Sequence, residues 1–183
     1  MRNKKEAEWG NESMRIEVYG SLLNSKEREK APLEKGMMIE LGKQERIGWK
    51  LSFDKLNRRE EAVLNLVWTG NKNDAYYTTV FQIDTVACGA IMEREMGMTN
   101  AEEWKQGLAV KFGSYRPFTL ASEFGNTEVF IIPCEERKRI PTNREARYFK
   151  TVKEGIEESY KDIPHMKAKN LDCLEKAVDE SIK

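Results

Sequence analysis

Short segments rich in β-branched and aromatic residues fill the first two-thirds of the chain, while helical patterns are concentrated at its end. Regular helical crossovers, which a doubly wound parallel sheet requires, do not separate these segments. This order predicts an α+β fold with a small mixed, mostly antiparallel, β-barrel-like sheet and helices packed against it. The predicted strands cover residues 14–20, 37–41, 46–53, 62–69, 76–83, 108–112, 115–122 and 128–132.

Three helical patterns accompany the strands. A short central helix is predicted over residues 85–95, with Asp84 as its N-cap. Two C-terminal helices are predicted over residues 144–160 and 171–182, the first with apolar residues on one side. Residues 24–35 are strongly charged and are predicted to form a loop.

The domain organisation is predicted to be simple. The 183 residues suffice for one domain with a hydrophobic core. Residues 1–13 are polar and charged and are expected to be a disordered leader rather than a secretory signal. Residues 14–183 are expected to form a single domain that ends in C-terminal helices over residues 141–183.

Composition excludes several functional classes. Lys plus Arg equals Asp plus Glu, at 31 each, which argues against a dedicated nucleic-acid binder. No apolar run approaches the roughly 20 residues that span a bilayer, so no membrane partner is expected. Three widely spaced cysteines and one histidine predict neither a disulfide framework nor a metal site, and favour a reducing, cytoplasmic location.

The stretch IEVYGSLLNSKE, from Ile16 to Glu27, is the most informative local feature. A predicted strand ends directly in Tyr-Gly-Ser without a hairpin turn. Gly20 permits a positive φ and the close approach of a ligand, and successive N–H groups in such a turn can bind a carboxylate or an oxyanion. The alternative is a tight strand-to-helix turn in which Ser21 is an N-cap, and the two interpretations are compatible.

Several motifs together resemble the γ-glutamylcyclotransferase-like superfamily, which includes γ-glutamylamine cyclotransferases and AIG2-like proteins. The resemblance covers about residues 14–160 and depends on the order and spacing of the motifs rather than on any one of them. The motifs are VYGSLL at 18–23, GWKLSF at 48–53, LVWTG at 66–70, VFQID at 80–84, MEREMG at 92–97, YRPFTL at 115–120 and PTNREARYFKTVKEGI at 141–156.

The resemblance implies a small barrel-like domain with a cavity and an enzyme that needs no cofactor and no metal. Such enzymes cyclise a γ-glutamyl amine or peptide, because the α-amine attacks its own γ-carbonyl. The products are 5-oxoproline and a released amine or amino acid. The implied partner is therefore a small-molecule γ-glutamyl substrate, and the oligomeric state stays open.

The resemblance also implies site residues. The loop of Tyr19, Gly20, Ser21 and Leu22 would hold the γ-glutamyl group. Glu95 would be the catalytic general base, and an effective glutamate base must be shielded from water in an apolar cavity. Tyr115 would be a substrate-binding residue on the cavity wall.

Three features depart from the superfamily's pattern. Met92 stands where an aspartate is usual, Met96 separates Glu95 from the following glycine, and residues 96–114 form an insertion that could be a lid. Glu93 is an alternative to Glu95. Both acids could also be solvated residues on a helix, paired with Arg94 and Lys105. These departures keep two alternatives open: a non-catalytic binding protein for a small anionic metabolite, and a protein-interaction module.

Four further side chains have plain structural interpretations. Arg46 or Arg116 could neutralise a substrate carboxylate, although surface positions are the simpler expectation. Trp49 and Trp68 lie in strand settings and are expected to be core residues rather than ligand platforms.

Overall fold

The computed structural model describes residues 13–30, 33–57, 59–96 and 115–183. Nearly all of the predicted leader, the predicted strand at 108–112 and the predicted insertion beyond residue 96 lie outside these ranges. The division of the chain into a leader, one domain and an insertion therefore stays a prediction.

Seven strands are described, and most follow the β-type segments of the sequence, although the turn at Gly48 divides the predicted strand at 46–53 between two of them. They are β1 (Met14–Val18), β2 (Met38–Ile47), β3 (Trp49–Leu56), β4 (Ala62–Trp68), β5 (Ala75–Ile83), β6 (Arg116–Ser122) and β7 (Gly125–Ile131). A five-stranded sheet has the order β2-β5-β1-β7-β6, and β3 and β4 form a separate hairpin. The β1–β7 pair is parallel and the other pairs are antiparallel, which confirms the predicted mixed, mostly antiparallel arrangement.

The predicted barrel-like sheet is not a closed barrel, because the described strands form two separate sheets. The link between the hairpin and the main sheet explains why. Asn65 of β4 uses its side-chain amide to bond the backbone N–H and C=O of Ile132, just beyond β7, at 2.9 and 3.1 Å. A side chain therefore makes the connection that a strand ladder would make in a closed barrel.

Four α-helices are described: α1 (Ser25–Arg28), α2 (Thr85–Met96), α3 (Arg147–Ser159) and α4 (Pro164–Ser181). The Asp84 side chain accepts a hydrogen bond from the N–H of Ala87 at 2.7 Å, which confirms it as the cap of α2. None of the described helices is long and apolar enough to cross a membrane.

Helix α3 buries the apolar stripe that the sequence predicts. Phe149, Val152 and Ile156 all lie in the core, which occupies the space between the sheets and the two C-terminal helices. A helix with one apolar side gains most of its stability from such packing. The prediction of α3 as an amphipathic core helix is confirmed.

Two predictions of local structure are wrong for identifiable reasons. The predicted loop at 24–35 contains α1, because the Asn24 side chain caps the helix by accepting from the N–H of Lys26. Helix α4 begins at Pro164, seven residues before its predicted start at residue 171. Its polar first half is tolerated because buried Asn170 bonds both the N–H and the C=O of Tyr77.

The two tryptophans differ in burial although they pair across β3 and β4. Trp49 is buried in the core, as predicted, but Trp68 is 61% exposed. The Trp68 ring lies over Gly48, which has a φ of +83°, and a Cβ at residue 48 would lie 2.4 Å from that ring. Trp68 therefore covers a glycine turn and is not part of the core.

Candidate active site

A cavity of about 740 Å³ opens where the end of β1, the β3–β4 hairpin, the end of α2 and the start of α3 meet. Every residue predicted for the site lines this cavity: Tyr19, Gly20, Ser21, Leu22, Glu95 and Tyr115. The chain thus brings together residues almost 100 positions apart in sequence. Their roles in binding or catalysis are not decided by this proximity and stay predictions.

The loop at residues 20–24 is a 3-10 turn rather than a left-handed glycine turn. The N–H groups of Leu23 and Asn24 donate to the C=O groups of Gly20 and Ser21, at 3.0 and 3.1 Å. The first amides of a helical turn have no acceptor within the turn. The amides of Ser21 and Leu22 accordingly donate to no other residue in the described part of the chain, and they are available to a ligand.

Gly20 and Ser21 differ from the sequence expectation in detail. Gly20 has a φ of −118°, so the expected positive φ is not used. The glycine is instead explained by a close approach, because a Cβ there would lie 3.0 Å from the Tyr148 hydroxyl. Ser21 is not an N-cap, since Gly20 holds that position and the Ser21 hydroxyl accepts a hydrogen bond from Arg94.

Residues of α1 and α3 contact the backbone of this loop and restrain it. The Arg28 guanidinium donates from Nη1 to the C=O groups of Leu22 and Leu23, at 2.6 and 2.8 Å. Gly155 of α3 approaches so closely that a Cβ would lie 2.6 Å from the backbone N of Asn24. These contacts engage the carbonyls of Leu22 and Leu23 and leave the amides of Ser21 and Leu22 without a partner among the described residues.

We expect Gly155→Ala to destabilise the fold by about 1–3 kcal/mol, because the new methyl group meets backbone atoms that cannot rotate away. The matched control is Gly89→Ala in α2, where a Cβ would have no neighbour within 4 Å. That control should be stabilising by roughly 0.5–1 kcal/mol, since glycine is unfavourable inside a helix. Urea denaturation measures both. Equal effects at the two sites would contradict the proposed tight contact.

Arg94 connects the loop to the predicted general base. Its Nη2 donates to the Ser21 Oγ at 2.7 Å, and its Nε lies 3.2 Å from the Glu95 Oε1. A second carboxylate, that of Glu27, lies 3.9 Å from Nη2. The Glu95 side chain is 19% exposed, so it is shielded from water but paired. One guanidinium group therefore spans the gap between the loop and the acid.

Electrostatics distinguish Glu95 from the alternative Glu93. Burial raises the pKa of Tyr19 well above its ordinary value, and the Glu95 charge is the next cause. Burial and then Glu95 likewise raise the pKa of Tyr148, to about 12. Glu93 also lines the cavity but is exposed and has no such influence on these phenols. Glu95 is therefore the acid that acts on the cavity's buried interior.

The hydroxyl groups of both predicted site tyrosines donate hydrogen bonds within the protein. Tyr19 donates to the C=O of Phe130, and Tyr115 donates to the C=O of Leu64. The Lys55 ammonium lies 4.4 Å from the centre of the Tyr115 ring and donates to the C=O of Glu95 at 3.3 Å. Tyr115 thus contributes its ring to the cavity wall, and Lys55 ties that wall to the end of α2.

We expect the free energy of unfolding to fall as pH rises above 10. Unfolded tyrosines ionise near pH 10, whereas the folded protein keeps the Tyr148 proton up to about pH 12. Above pH 10 the unfolded chain therefore binds fewer protons, and each such tyrosine lowers stability by up to about 1.4 kcal/mol per pH unit. Urea denaturation at pH 9, 10 and 11 measures the slope. Tyr148→Phe should make it shallower, and an unchanged slope would show that Tyr148 ionises normally.

Three residues of the cavity, Tyr148, Arg94 and Lys55, were not assigned a site role from the sequence. Tyr148, whose hydroxyl approaches Gly20, lies inside the quoted motif at 141–156, so the resemblance contained a signal for it. Arg94 was expected only as a partner for solvated acids, and Lys55 carried no signal. Arg46, considered as a carboxylate partner, instead pairs with buried Glu17 in the sheet.

Within residues 13–30, 33–57, 59–96 and 115–183, no group of three or more His, Cys, Asp or Glu side chains is arranged to hold a metal ion. The described cavity offers shielded carboxylates, among them those of Glu27 and Glu95, together with backbone amides, a guanidinium group and buried phenols.

Comparison with solved structures identifies the fold. A γ-glutamyl cyclotransferase matches with a TM-score of 0.58 and 14% identity over 86% of each chain. An uncharacterized protein from Homo sapiens matches with a TM-score of 0.58 and 14% identity over 87% of each chain. YkqA from Bacillus subtilis matches with a TM-score of 0.58 and 17% identity over 86% of this chain and 55% of its own.

The sequence itself matches no protein-family model and, at a significant level, no curated protein. At identities of 14–17% the structural likeness establishes the fold and not the activity. The chain has the fold of the γ-glutamylcyclotransferase-like superfamily, which confirms the resemblance seen in the sequence at the level of architecture. Its scaffold is one on which a cyclotransferase is built.

Proposed function

We propose that the protein is a γ-glutamylcyclotransferase-like enzyme that cyclises a γ-glutamyl amine or peptide. The α-amine attacks the γ-carbonyl carbon, a C–N bond closes a five-membered lactam, and the C–N bond to the leaving amine breaks. The products are 5-oxoproline and the free amine. The observation that carries this proposal is the Arg94 bridge, since it holds the Glu95 carboxylate within a small metabolite's length of the Ser21 loop.

Glu95 would move the proton. Its carboxylate accepts a proton from the α-ammonium, which frees the attacking amine, and a proton passes to the leaving nitrogen as the intermediate collapses. General acid–base catalysis of this kind contributes about 10²- to 10⁴-fold. The low exposure of the Glu95 side chain supports this role, because bulk water competes less for the proton.

The loop would stabilise the negative charge that develops on the γ-carbonyl oxygen. Ser21 and Leu22 line the cavity, and their backbone amides have no acceptor among the described residues, which supports an oxyanion site. The nucleophile and the electrophile belong to one molecule, so binding need only select the folded conformer of the substrate. This chemistry requires no cofactor.

A second candidate is a binding protein for a small anionic metabolite that does no chemistry. The Arg94–Glu95 ion pair favours it, because a paired carboxylate is a weaker proton acceptor than an isolated one. The buried side chain of Met92, where the superfamily's pattern has an aspartate, is a further departure.

A substrate panel separates the two candidates. The protein is incubated with γ-glutamyl dipeptides and γ-glutamyl amines, and 5-oxoproline is measured by mass spectrometry. Formation of 5-oxoproline with release of the matching amine supports the enzyme. Ligand binding without any product, across the whole panel, would support the binding protein instead.

We also propose that the protein is located in the cytoplasm. No two of the three cysteines, Cys88, Cys134 and Cys173, form a disulfide in the described part of the chain. Free thiols are typical of reducing compartments. Alkylation of free thiols in intact cells, followed by mass spectrometry of the protein, would test this proposal. This experiment reports the thiol state in the cell, which a non-reducing gel alone does not.

A further inference from the structure

The Arg94–Glu95 pair presents a positive and a negative group side by side at the cavity surface. The two side chains come from adjacent residues of α2, yet they converge, with Nε and Oε1 3.2 Å apart. Ser21 and Glu27 hold the guanidinium from the side of the loop. The arginine is therefore fixed in position and is 29% exposed to the cavity.

The Arg94 guanidinium has N–H donors that its contacts with the described residues do not use. An arginine side chain has five N–H donors in a rigid fork. Among the described residues only Ser21 accepts a geometrically good hydrogen bond from it, and the Glu27 contact is a longer ion pair. The Nη1 amino group thus has no hydrogen-bond acceptor within the described part of the chain. A carboxylate is the ligand that best matches such a fork.

A zwitterionic amino-acid head matches this arrangement. It places an ammonium and a carboxylate on one carbon, so its two charges lie about as close together as those of the ion pair. The ammonium would lie against Glu95, where the proposed reaction needs it, and the carboxylate would lie against Arg94. The ligand would then satisfy both side chains without leaving an unpaired buried charge.

We propose that Arg94 is a specificity-determining residue that binds the α-carboxylate of the γ-glutamyl group, while Glu95 takes its α-ammonium. The identity of that group rests on the proposed function. Arg94 would make the site select acyl groups with a free α-carboxylate over decarboxylated γ-aminobutyryl analogues. Its contact with Ser21 keeps the carboxylate next to the loop that faces the γ-carbonyl.

The first test measures binding with two unreactive lactams. L-5-oxoproline carries the carboxylate, and 2-pyrrolidinone is the same ring without it. In NMR titrations, Arg94→Gln should weaken L-5-oxoproline binding by about 10- to 100-fold. It should leave 2-pyrrolidinone binding unchanged. Failure of the wild type to bind L-5-oxoproline, or equal binding by the variant, would overturn the inference whether or not the protein is an enzyme.

The second test measures selectivity in turnover. The ratio of kcat/KM for a γ-glutamyl anilide to that for the matching γ-aminobutyryl anilide should fall about 10- to 100-fold in Arg94→Gln. Loss of the ion pair with Glu95 affects both substrates and cancels in the ratio. An unchanged ratio, with both substrates slowed equally, would mean that Arg94 only positions Glu95. A third result is that the wild type shows no turnover but binds L-5-oxoproline in a way that depends on Arg94. That result would overturn the proposed enzyme activity, and the inference that Arg94 binds the carboxylate would stand.

Two variants control for general effects. Arg94→Lys keeps the charge but loses the fork, and it should recover part of the selectivity. Arg139→Gln removes an exposed arginine that does not line the cavity, and it should leave the selectivity ratio at the wild-type value. A loss of selectivity in Arg139→Gln equal to that in Arg94→Gln would show a non-specific charge effect and would contradict the assignment.

Discussion

Replacement of Glu95 by glutamine is expected to lower kcat for 5-oxoproline formation by about 10²- to 10⁴-fold while substrate binding persists. Glutamine has nearly the same shape as glutamate, but it cannot accept the α-ammonium proton. Its amide can still contact Arg94, which lies 3.2 Å from the native carboxylate. Steady-state kinetics on the best substrate of the panel, with a direct binding measurement, would separate the loss of chemistry from the loss of binding.

Glu93→Gln is the matched control. Glu93 is on the same helix and lines the same cavity, but its side chain is exposed and it has no described ion pair. We expect a change in kcat of less than about threefold for this variant, because an exposed carboxylate lacks the shielding from water that an effective glutamate base requires. A large loss in Glu93→Gln with near-normal turnover in Glu95→Gln would exchange the roles of the two acids.

Replacement of Arg46 by methionine is expected to lower the free energy of unfolding by about 3–5 kcal/mol. Arg46 pairs through two nitrogens with the Glu17 carboxylate, whose side chain is fully buried in the sheet. Removal of the guanidinium would leave a buried carboxylate whose remaining hydrogen-bond donors, among the residues that the structure describes, are Thr78 and Thr127. Chemical denaturation at pH 7 would measure the loss.

The double variant Glu17→Leu/Arg46→Met tests the reason for that loss. If the cost comes from the unpaired charge, removal of both partners should recover most of the stability, since well-packed apolar groups often replace a buried pair without penalty. The double variant should then be more stable than Arg46→Met alone. If it is as unstable as the single variant, the packing of the Arg46 side chain, and not its charge, is what the sheet requires.

Arg46 also illustrates why side-chain roles escaped sequence reasoning. The β-type pattern places Arg46 in a strand but not in the right one, because the predicted strand at 46–53 joins the end of β2 to β3, and the pattern does not reveal what lies opposite the side chain. Arg46 faces Glu17 because β2 and β1 both pair with β5. Strand order depends on contacts between residues distant in sequence, so no local pattern reports it. The same limit applies to the barrel-like sheet, because the Asn65 side chain, and not a strand ladder, connects the β3–β4 hairpin to the backbone beyond β7.

Helix α4 shows a second kind of limit. Its polar first half has no apolar periodicity, so its predicted start was seven residues late. The helix continues back to Pro164 because Asn170 meets the backbone of Tyr77. A buried polar residue looks like a loop residue in sequence when its partner is elsewhere in the chain. By contrast, α3 was predicted well because its apolar stripe is local information.

Local sequence patterns predicted most of the elements in their order and the mixed sheet with helices at its end, and they contained the motifs that resemble the superfamily. These follow from the 2.0 and 3.6 residue periods of side-chain burial, which are local. The contacts at the site became visible only in the folded chain. Arg94 joins Ser21 to Glu95. Arg28 and Gly155 restrain the loop, and the Tyr148 hydroxyl lies close to Gly20. Each of these arrangements depends on where separate elements meet in space, and that is settled by packing of the whole chain.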